Sequence, residues 1–369
     1  MKRVRFLMLG GFLGAGKTTA IARLARQYID QGLKVGLVTN DQAQGLVDTQ
    51  SLRSQGFDVG EVTGACFCCK FNDLVGAADQ LTEANQPDLI IAEPVGSCTD
   101  LVATVIRPLQ QIYKRPIEVA PYGVLLKPSH GTKILANEPD AGFSPKAAYI
   151  FRKQLEEADF VVINRIDQLT PANVENLTKL LNEQFPGMPV LRMSAKSGDG
   201  FPAFVDFVEQ KGKFGQRLMD VDYDIYAEGE AELGWLNSSL IVKATAAFAL
   251  DSLLVDIIER LKKSLAEQRA ETAHLKTIGL WEGFYGVANL VSSDSSPELS
   301  LPSNCQVQEA NVIVNARVAI DPETLTTLVR AAVAAACTKI NATVSGEQTQ
   351  SFRPGRPVPT HRILEASGK

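Results

Sequence analysis

Two clusters in this sequence can do chemistry by residue type and spacing. The first is Gly11-Phe12-Leu13-Gly14-Ala15-Gly16-Lys17-Thr18, a Gly-x4-Gly-Lys-Thr phosphate loop. Glycines let backbone N–H groups curl around phosphates, Lys17 reaches the terminal phosphates, and the Thr18 hydroxyl suits Mg²⁺. Gly11, Gly14, Ala15, Gly16, Lys17, Thr18 and Thr19 are the expected phosphate-binding residues. The second cluster is Cys66, Cys68 and Cys69, in Gly64-Ala65-Cys66-Phe67-Cys68-Cys69. Soft thiolates select Zn²⁺ or Cu(I) over Mg²⁺ or Ca²⁺, and three ligands leave a coordination position open for release. In a plain strand Cys66 and Cys68 would share one face with Cys69 on the other. Convergence therefore needs a turn, which Gly64 permits. Buried structural thiols and a redox pair are the competing readings of this cluster.

Three further motifs follow in order. An apolar run at 88–92 delivers Glu93-Pro94-Val95-Gly96, where a carboxylate can serve the Mg²⁺ shell or orient water. Gly96 can offer its N–H to a γ-phosphate. Asp41 follows the 34–39 run and supplies a second acid, so Lys17, Glu93 and Asp41 are the candidate catalytic side chains. Asn164-Arg165-Ile166-Asp167 then resembles the Asn-Lys-x-Asp element that reads guanine. A carboxylate there accepts the N1–H and 2-amino hydrogens of guanine, a donor pair adenine lacks. Ser194-Ala195-Lys196 fits the last base-contacting loop, where a backbone N–H meets the guanine oxygen. Cys98, just past Gly96, would complete a tetrahedral metal site if its segment approached the cysteine loop.

Positioning these motifs requires alternating strands and helices. Strands are expected at 4–9, 34–39, 89–92, 119–126, 160–164 and 190–193, with helices at 18–28, 145–157 and 171–184. That alternation argues for an α/β fold with a mostly parallel sheet, a P-loop nucleotide-binding domain over residues 1–212. Beyond it the rhythm changes. A strand at 239–245, a helix striped by Leu250, Leu253, Leu254, Ile257, Ile258, Leu261 and Leu265, and extended runs at 274–281, 284–291 and 307–320 follow. A helix capped by Asp321 with Pro322 in its first turn closes the order. This resembles a smaller ferredoxin-like α+β domain over 213–345, with 292–304 as a loop. The Pro- and Arg-containing stretch at 346–369 reads as a flexible tail. Asp220, Asp222 and Asp224 alternate with apolar residues, so as a strand they would align three carboxylates, a candidate docking face.

Composition bounds the function. The 369 residues are 45% hydrophobic and 21% charged, with net charge −5, which suits a folded globular protein. A mildly acidic chain lacks the basic footprint of a nucleic-acid binder. No apolar run approaches the roughly 20 residues that span a bilayer, so no membrane partner is expected. The Lys2–Leu9 start imitates a secretory leader but runs directly into the phosphate loop, which favours a buried strand and a cytoplasmic location.

Taken in this order, Walker A, Cys-x-Cys-Cys, Glu-x-x-Gly and Asn-Arg-x-Asp resemble the CobW-like family of P-loop GTPases. The resemblance covers about residues 4–210. It implies a metallochaperone with GTP, Mg²⁺ and Zn²⁺ or another thiophilic divalent ion as ligands, slow hydrolysis, and delivery of metal to a client metalloprotein or corrinoid pathway. Carried over by position, Lys17 and Thr18 bind phosphate and Mg²⁺, Glu93 belongs to the Mg²⁺ and water shell, Asn164 and Asp167 bind guanine, and Cys66, Cys68 and Cys69 hold the metal. Relatives also use nucleotide-dependent homodimers. Competing functions are a GTPase that activates a metalloenzyme or corrinoid methyltransferase without carrying metal, a P-loop kinase with incidental cysteines, and a redox switch.

Overall fold

A computed structural model describes residues 3–41, 47–113, 115–138 and 143–365. The backbone separates into two compact units, one of residues 1–229 with 356–369, the other of residues 230–355.

The first unit is built on eight strands: β1 (Val4–Gly11), β2 (Val35–Asp41), β3 (Asp58–Thr63), β4 (Leu89–Glu93), β5 (Ile117–Val119), β6 (Gly123–Leu126), β7 (Phe160–Ile163) and β8 (Val190–Arg192). They form one parallel sheet in the order β3-β2-β4-β1-β6-β7-β8, with β5 also paired to β1. Central strands are apolar throughout because both faces are covered: β4, β6 and β7 are buried at every position. The chain lays β2 and β3 on one side of β1 and, after β4, places β6 to β8 on the other. The carboxyl end of β1 is thus a topological switch point, where open α/β sheets bind ligands.

The expected single strand at 119–126 is instead two. Pro121 has no N–H for the ladder, so β5 pairs with Val4–Phe6 and β6 with Leu9–Gly11. Helix α1 (Lys17–Asp30) follows the phosphate loop, buries Ala20, Ile21, Leu24 and Ala25 against the sheet, and is followed in the chain by α2 (Val47–Ser54). Helix α3 (Phe71–Asn85) begins directly after the cysteines.

The second unit is a six-stranded antiparallel sheet: β9 (Gly234–Ala249), β10 (Thr272–Trp281), β11 (Phe284–Leu290), β12 (Glu298–Leu301), β13 (Gln306–Val318) and β14 (Ala342–Phe352), in the order β12-β11-β10-β13-β9-β14. The run β10-β13-β9-β14 with helices Leu250–Glu267 and Pro322–Lys339 is the ferredoxin-like pattern expected from sequence, with β11 and β12 extending one edge. All seven apolar residues of the first helix's stripe are buried in this core. Asp321 caps the second helix by accepting from Glu323 N and Thr324 N.

Three further expectations are corrected. First, the 292–304 loop contains β12. Second, residues 220–225 are not a strand. Asp222 Oδ1 accepts from Asp224 N (2.9 Å) and Ile225 N (3.1 Å), capping the helix Tyr223–Ala231, so the three acids form no row. Third, the stretch from 346 is not a free tail. It completes β14 to Phe352, and residues 356–363 then bond to the first unit. The first unit likewise continues past 212, because Gly215 N donates to Asp159 Oδ2 (2.8 Å) and Tyr223 Oη to Asp100 Oδ2 (2.7 Å). Among the described residues no helix is long and apolar enough to cross a membrane.

Candidate functional site

The phosphate loop leaves β1 at Gly11 (φ +133°) and enters α1 at Gly16 (φ +89°), conformations that L side chains rarely adopt. Crowding adds to the constraint, since a Cβ at Gly16 would lie 2.5 Å from Asn164 Nδ2. Lys17 is buried and its Nζ donates to Gly11 O (2.9 Å), so the ammonium is held across the loop. Thr18 Oγ1 donates to Glu93 Oε1 (2.9 Å) at the end of β4. Gly96 closes the group: a Cβ there would meet Lys17 Nζ at 3.0 Å and Leu13 Cδ2 at 2.9 Å. Lys17, Thr18, Glu93 and Gly96 therefore converge as the motifs require. The arrangement puts two hard oxygen donors beside an ammonium and a glycine-lined backbone curl, a set suited to a magnesium-bound polyphosphate. Gly14 (φ +74°) and Ala15 form the turn, and Thr19 is exposed on the first turn of α1. Asp41 ends β2, next to the Thr39–Glu93 pair of the register, and its side chain lies outside the described residues.

The base-side residues separate into two kinds. Asn164 is 1% exposed and bridges two loops, donating from Nδ2 to Ala15 O (2.7 Å) and accepting at Oδ1 from Ala195 N (2.9 Å). Its carboxamide thus fastens the phosphate loop to the Ser194-Ala195-Lys196 loop, and the Ala195 amide is engaged by it. Asp167, by contrast, is exposed in the single turn Ile166–Gln168, which Arg165 enters at φ +64°. Ser194 Oγ accepts from Ser197 N (3.0 Å) and shapes the loop beyond. Sequence reasoning missed Arg23, whose guanidinium donates from Nε to Ala195 O (2.7 Å) and from Nη2 to Lys196 O (2.6 Å). Its place on α1 beyond the phosphate loop gave no motif to find it by.

The cysteines meet in a tight turn. Gly64 takes φ +82°, and both Cys69 N (3.0 Å) and Lys70 N (2.9 Å) donate to Cys66 O. Phe67, fully buried, anchors the turn. The sulfur separations are 2.9 Å (66–68), 3.2 Å (66–69) and 3.8 Å (68–69). A circle through three such atoms has a radius of about 2 Å, inside the roughly 2.3 Å reach of a zinc–thiolate bond, so one ion can touch all three. Hydrogen bonding with the Cys68 and Cys69 thiols holds Cys66 well below the ordinary thiol range. The same contacts raise Cys68 well above it and push Cys69 up to about 11, with Cys66 the first cause in each. A second missed residue, Asn40, fixes this turn. Its Oδ1 accepts from Phe67 N (2.7 Å), and its Nδ2 donates to Val62 O (3.0 Å) and Ala65 O (2.8 Å). Cys98 is buried and its thiol also helps to lower Cys66, yet it falls outside the set of described ligands lying within 4.8 Å of one another, which is Cys66, Cys68 and Cys69.

The chain is similar to known proteins over its first unit. The family model described as "CobW/HypB/UreG, nucleotide-binding domain" matches residues 5–192. The zinc chaperone YeiR of Escherichia coli K12 is 29% identical over 180 residues, 47% of this chain and 49% of that protein. The zinc chaperone CobW of a Sinorhizobium species is 25% identical over 217 residues, 52% of this chain and 59% of that one. The urease accessory protein UreG of Metallosphaera sedula is 26% identical over 218 residues, 54% of this chain and 91% of that protein. The chain thus spans less than two thirds of the length of YeiR and CobW.

Proposed function

The chain belongs to the CobW/HypB/UreG nucleotide-binding family, and from that premise we propose that it is a slow GTPase that carries zinc on Cys66, Cys68 and Cys69. The zinc is cargo, handed to a client metalloprotein or corrinoid-pathway protein, and the chain works in the cytoplasm. The observation that carries the reading is the convergence of three thiols on a turn hydrogen-bonded to Asn40, at the same sheet edge as the phosphate loop.

In this reading Lys17 sets its charge against the β- and γ-phosphates, and Gly96 offers its N–H to the γ-phosphate. Thr18 and Glu93 hold Mg²⁺, which when bound neutralises charge building on the leaving phosphate. Asp167 accepts from guanine and supplies the preference for GTP. Asn164 and Arg23 keep the base-side loop against the phosphate loop. YeiR and CobW are described as zinc chaperones, which supports zinc as the metal here. Because a trithiolate keeps a position open, a client ligand can enter before the three cysteines let go.

The test is zinc titration of the reduced protein with and without a non-hydrolysable GTP analogue. One zinc per chain is expected, bound more tightly with the analogue and lost when Cys66, Cys68 and Cys69 are all changed to serine. Zinc binding that survives the triple substitution, or ATP competing as well as GTP, would overturn the reading.

A further inference from the structure

Residues 356–363 run across the cysteine turn as an extended strap within the first unit. In Pro357-Val358-Pro359-Thr360 the prolines carry no N–H, so the segment has two backbone donors, and both go to the cysteines. Val358 N donates to Cys69 Sγ (3.3 Å) and Thr360 N to Cys68 O (2.8 Å). The Thr360 hydroxyl adds a bond to Cys69 O (2.9 Å). Each proline fixes φ near −65°, which lowers the entropy lost in holding the strap extended.

The strap is tied at its far end. Arg362 Nε donates to Asp100 Oδ2 (2.7 Å), which also accepts from Tyr223 Oη, and Ile363 N donates to Ala103 O (2.9 Å). The His361 ring stands edge-on to Phe71, the first residue of α3, with centroids 5.2 Å apart. Asp100 is 1% exposed and lies four residues beyond Gly96, so the anchor belongs to the segment that touches Lys17. The strap carries no helix or ladder of its own and its outer side is open, with Val358 69% exposed. A segment held by a few bonds at the surface opens at small cost.

Burial decides which cysteine faces the outside. Cys66 is 3% exposed and Cys68 1%, whereas Cys69 is half-buried, and Cys69 is the one whose sulfur the strap covers. We propose that residues 356–363 form a gate over the trithiolate, closed by the Arg362–Asp100 pair, that must lift from Cys69 for metal to enter or leave. This rests on the reading of the three cysteines as the metal site.

The experiment uses the full chain, reduced, as wild type, Arg362→Ala and Thr360→Val. In metal-free protein, alkylation of Cys69 by iodoacetamide, mapped by mass spectrometry, reports the cover alone. In zinc-loaded protein, transfer to a chromogenic chelator reports the gate. Both rates should rise, about fivefold for Thr360→Val and about tenfold or more for Arg362→Ala, where a charge-assisted bond is lost. GTP-analogue affinity should stay at the wild-type value, which also shows that the unit is folded. Thr360→Val removes one hydroxyl only and keeps the test valid if Arg362→Ala fails to fold. Unchanged alkylation, or faster alkylation with unchanged zinc transfer, would overturn the gate. If wild type holds no zinc at all, the metal reading falls separately, and faster alkylation would still support the strap as the cover of Cys69.

Discussion

Asn40 spends its whole carboxamide on the cysteine turn, with one acceptor bond to Phe67 N and two donor bonds to the chain before it. Removing it would leave the Phe67 amide buried without its acceptor, a loss toward the low end of about 1–3 kcal/mol, roughly tenfold in an equilibrium that needs the turn formed. Asn40→Ala should therefore weaken zinc binding about tenfold while the affinity for a GTP analogue changes little; equal loss of both would show that Asn40 serves the whole edge. Asp167 is the complementary case, exposed in its turn rather than buried between loops. If Asp167 reads guanine as proposed, Asp167→Asn sets a donor against the guanine N–H groups, so GTP affinity should fall about tenfold or more while xanthosine triphosphate gains. Competition binding measures both, and an unchanged GTP preference would remove the guanine assignment. Lys17→Ala should abolish hydrolysis, since the charge beside the terminal phosphate is lost. Phosphate release at the wild-type rate would show that the loop is not catalytic.

One helix sets the loop after β4. Along Pro145–Glu157, Gln154 and Glu157 lie three residues apart on one face. Gln154 Nε2 donates to Gly96 O (3.0 Å) and Cys98 O (2.8 Å). Glu157 accepts from Thr99 Oγ1 (3.2 Å) and Val102 N (2.9 Å). The segment that connects Lys17 to the cysteine turn and the strap is thus pinned from behind by a single element. Full burial pushes the Glu157 carboxyl up to about 8, against the hydrogen bonds from Val102, Thr99 and Leu101 that favour its charge, and the nearby Asp100 pushes the same way. A raised folded pKa means that the group's contribution to stability is complete below about 4.5 and is lost as pH rises through about 8. Glu157→Gln keeps an acceptor for Val102 and lets the Thr99 hydroxyl reverse. Thermal unfolding should then show the wild type losing more stability than the variant between pH 5 and pH 8.5. Parallel curves would mean that Glu157 is ionised in the fold across that range.

The two compact units each have their own core, so ligands of the first should stabilise that unit alone. Both tryptophans, Trp235 and Trp281, lie on strands of the second unit. Tryptophan fluorescence therefore follows the second unit, while far-UV circular dichroism follows both. A GTP analogue at about 100 times its Kd should stabilise the first unit by about 2.7 kcal/mol. In urea, the dichroism transition should broaden or shift upward with the analogue while the fluorescence midpoint stays put. A fluorescence midpoint that moves equally would show that the units unfold as one.

The sequence by itself determined what depends on short spacing. A Gly-x4-Gly-Lys-Thr loop can only curl one way between a strand and a helix, period-2 and period-3.6 patterns set the two sheet architectures, and Asp321 before Pro322 marks a helix start. Local competition misled it at two places, where Pro121 split one strand and the capping strength of Asp222 beat an alternating pattern. What only the tertiary structure decided are pairings between residues far apart in the chain. Asn40 with the cysteine turn, Arg23 with the Ala195 loop, and Asn164 with Ala15 carry no local signature, because their energy is a hydrogen bond between loops that the sheet brings together. The strap is the clearest instance. Its prolines read as looseness when no partner is in view, and become stiffness once the Cys69 thiol and the Cys68 carbonyl accept from the two N–H donors the prolines leave, and Asp100 ties Arg362.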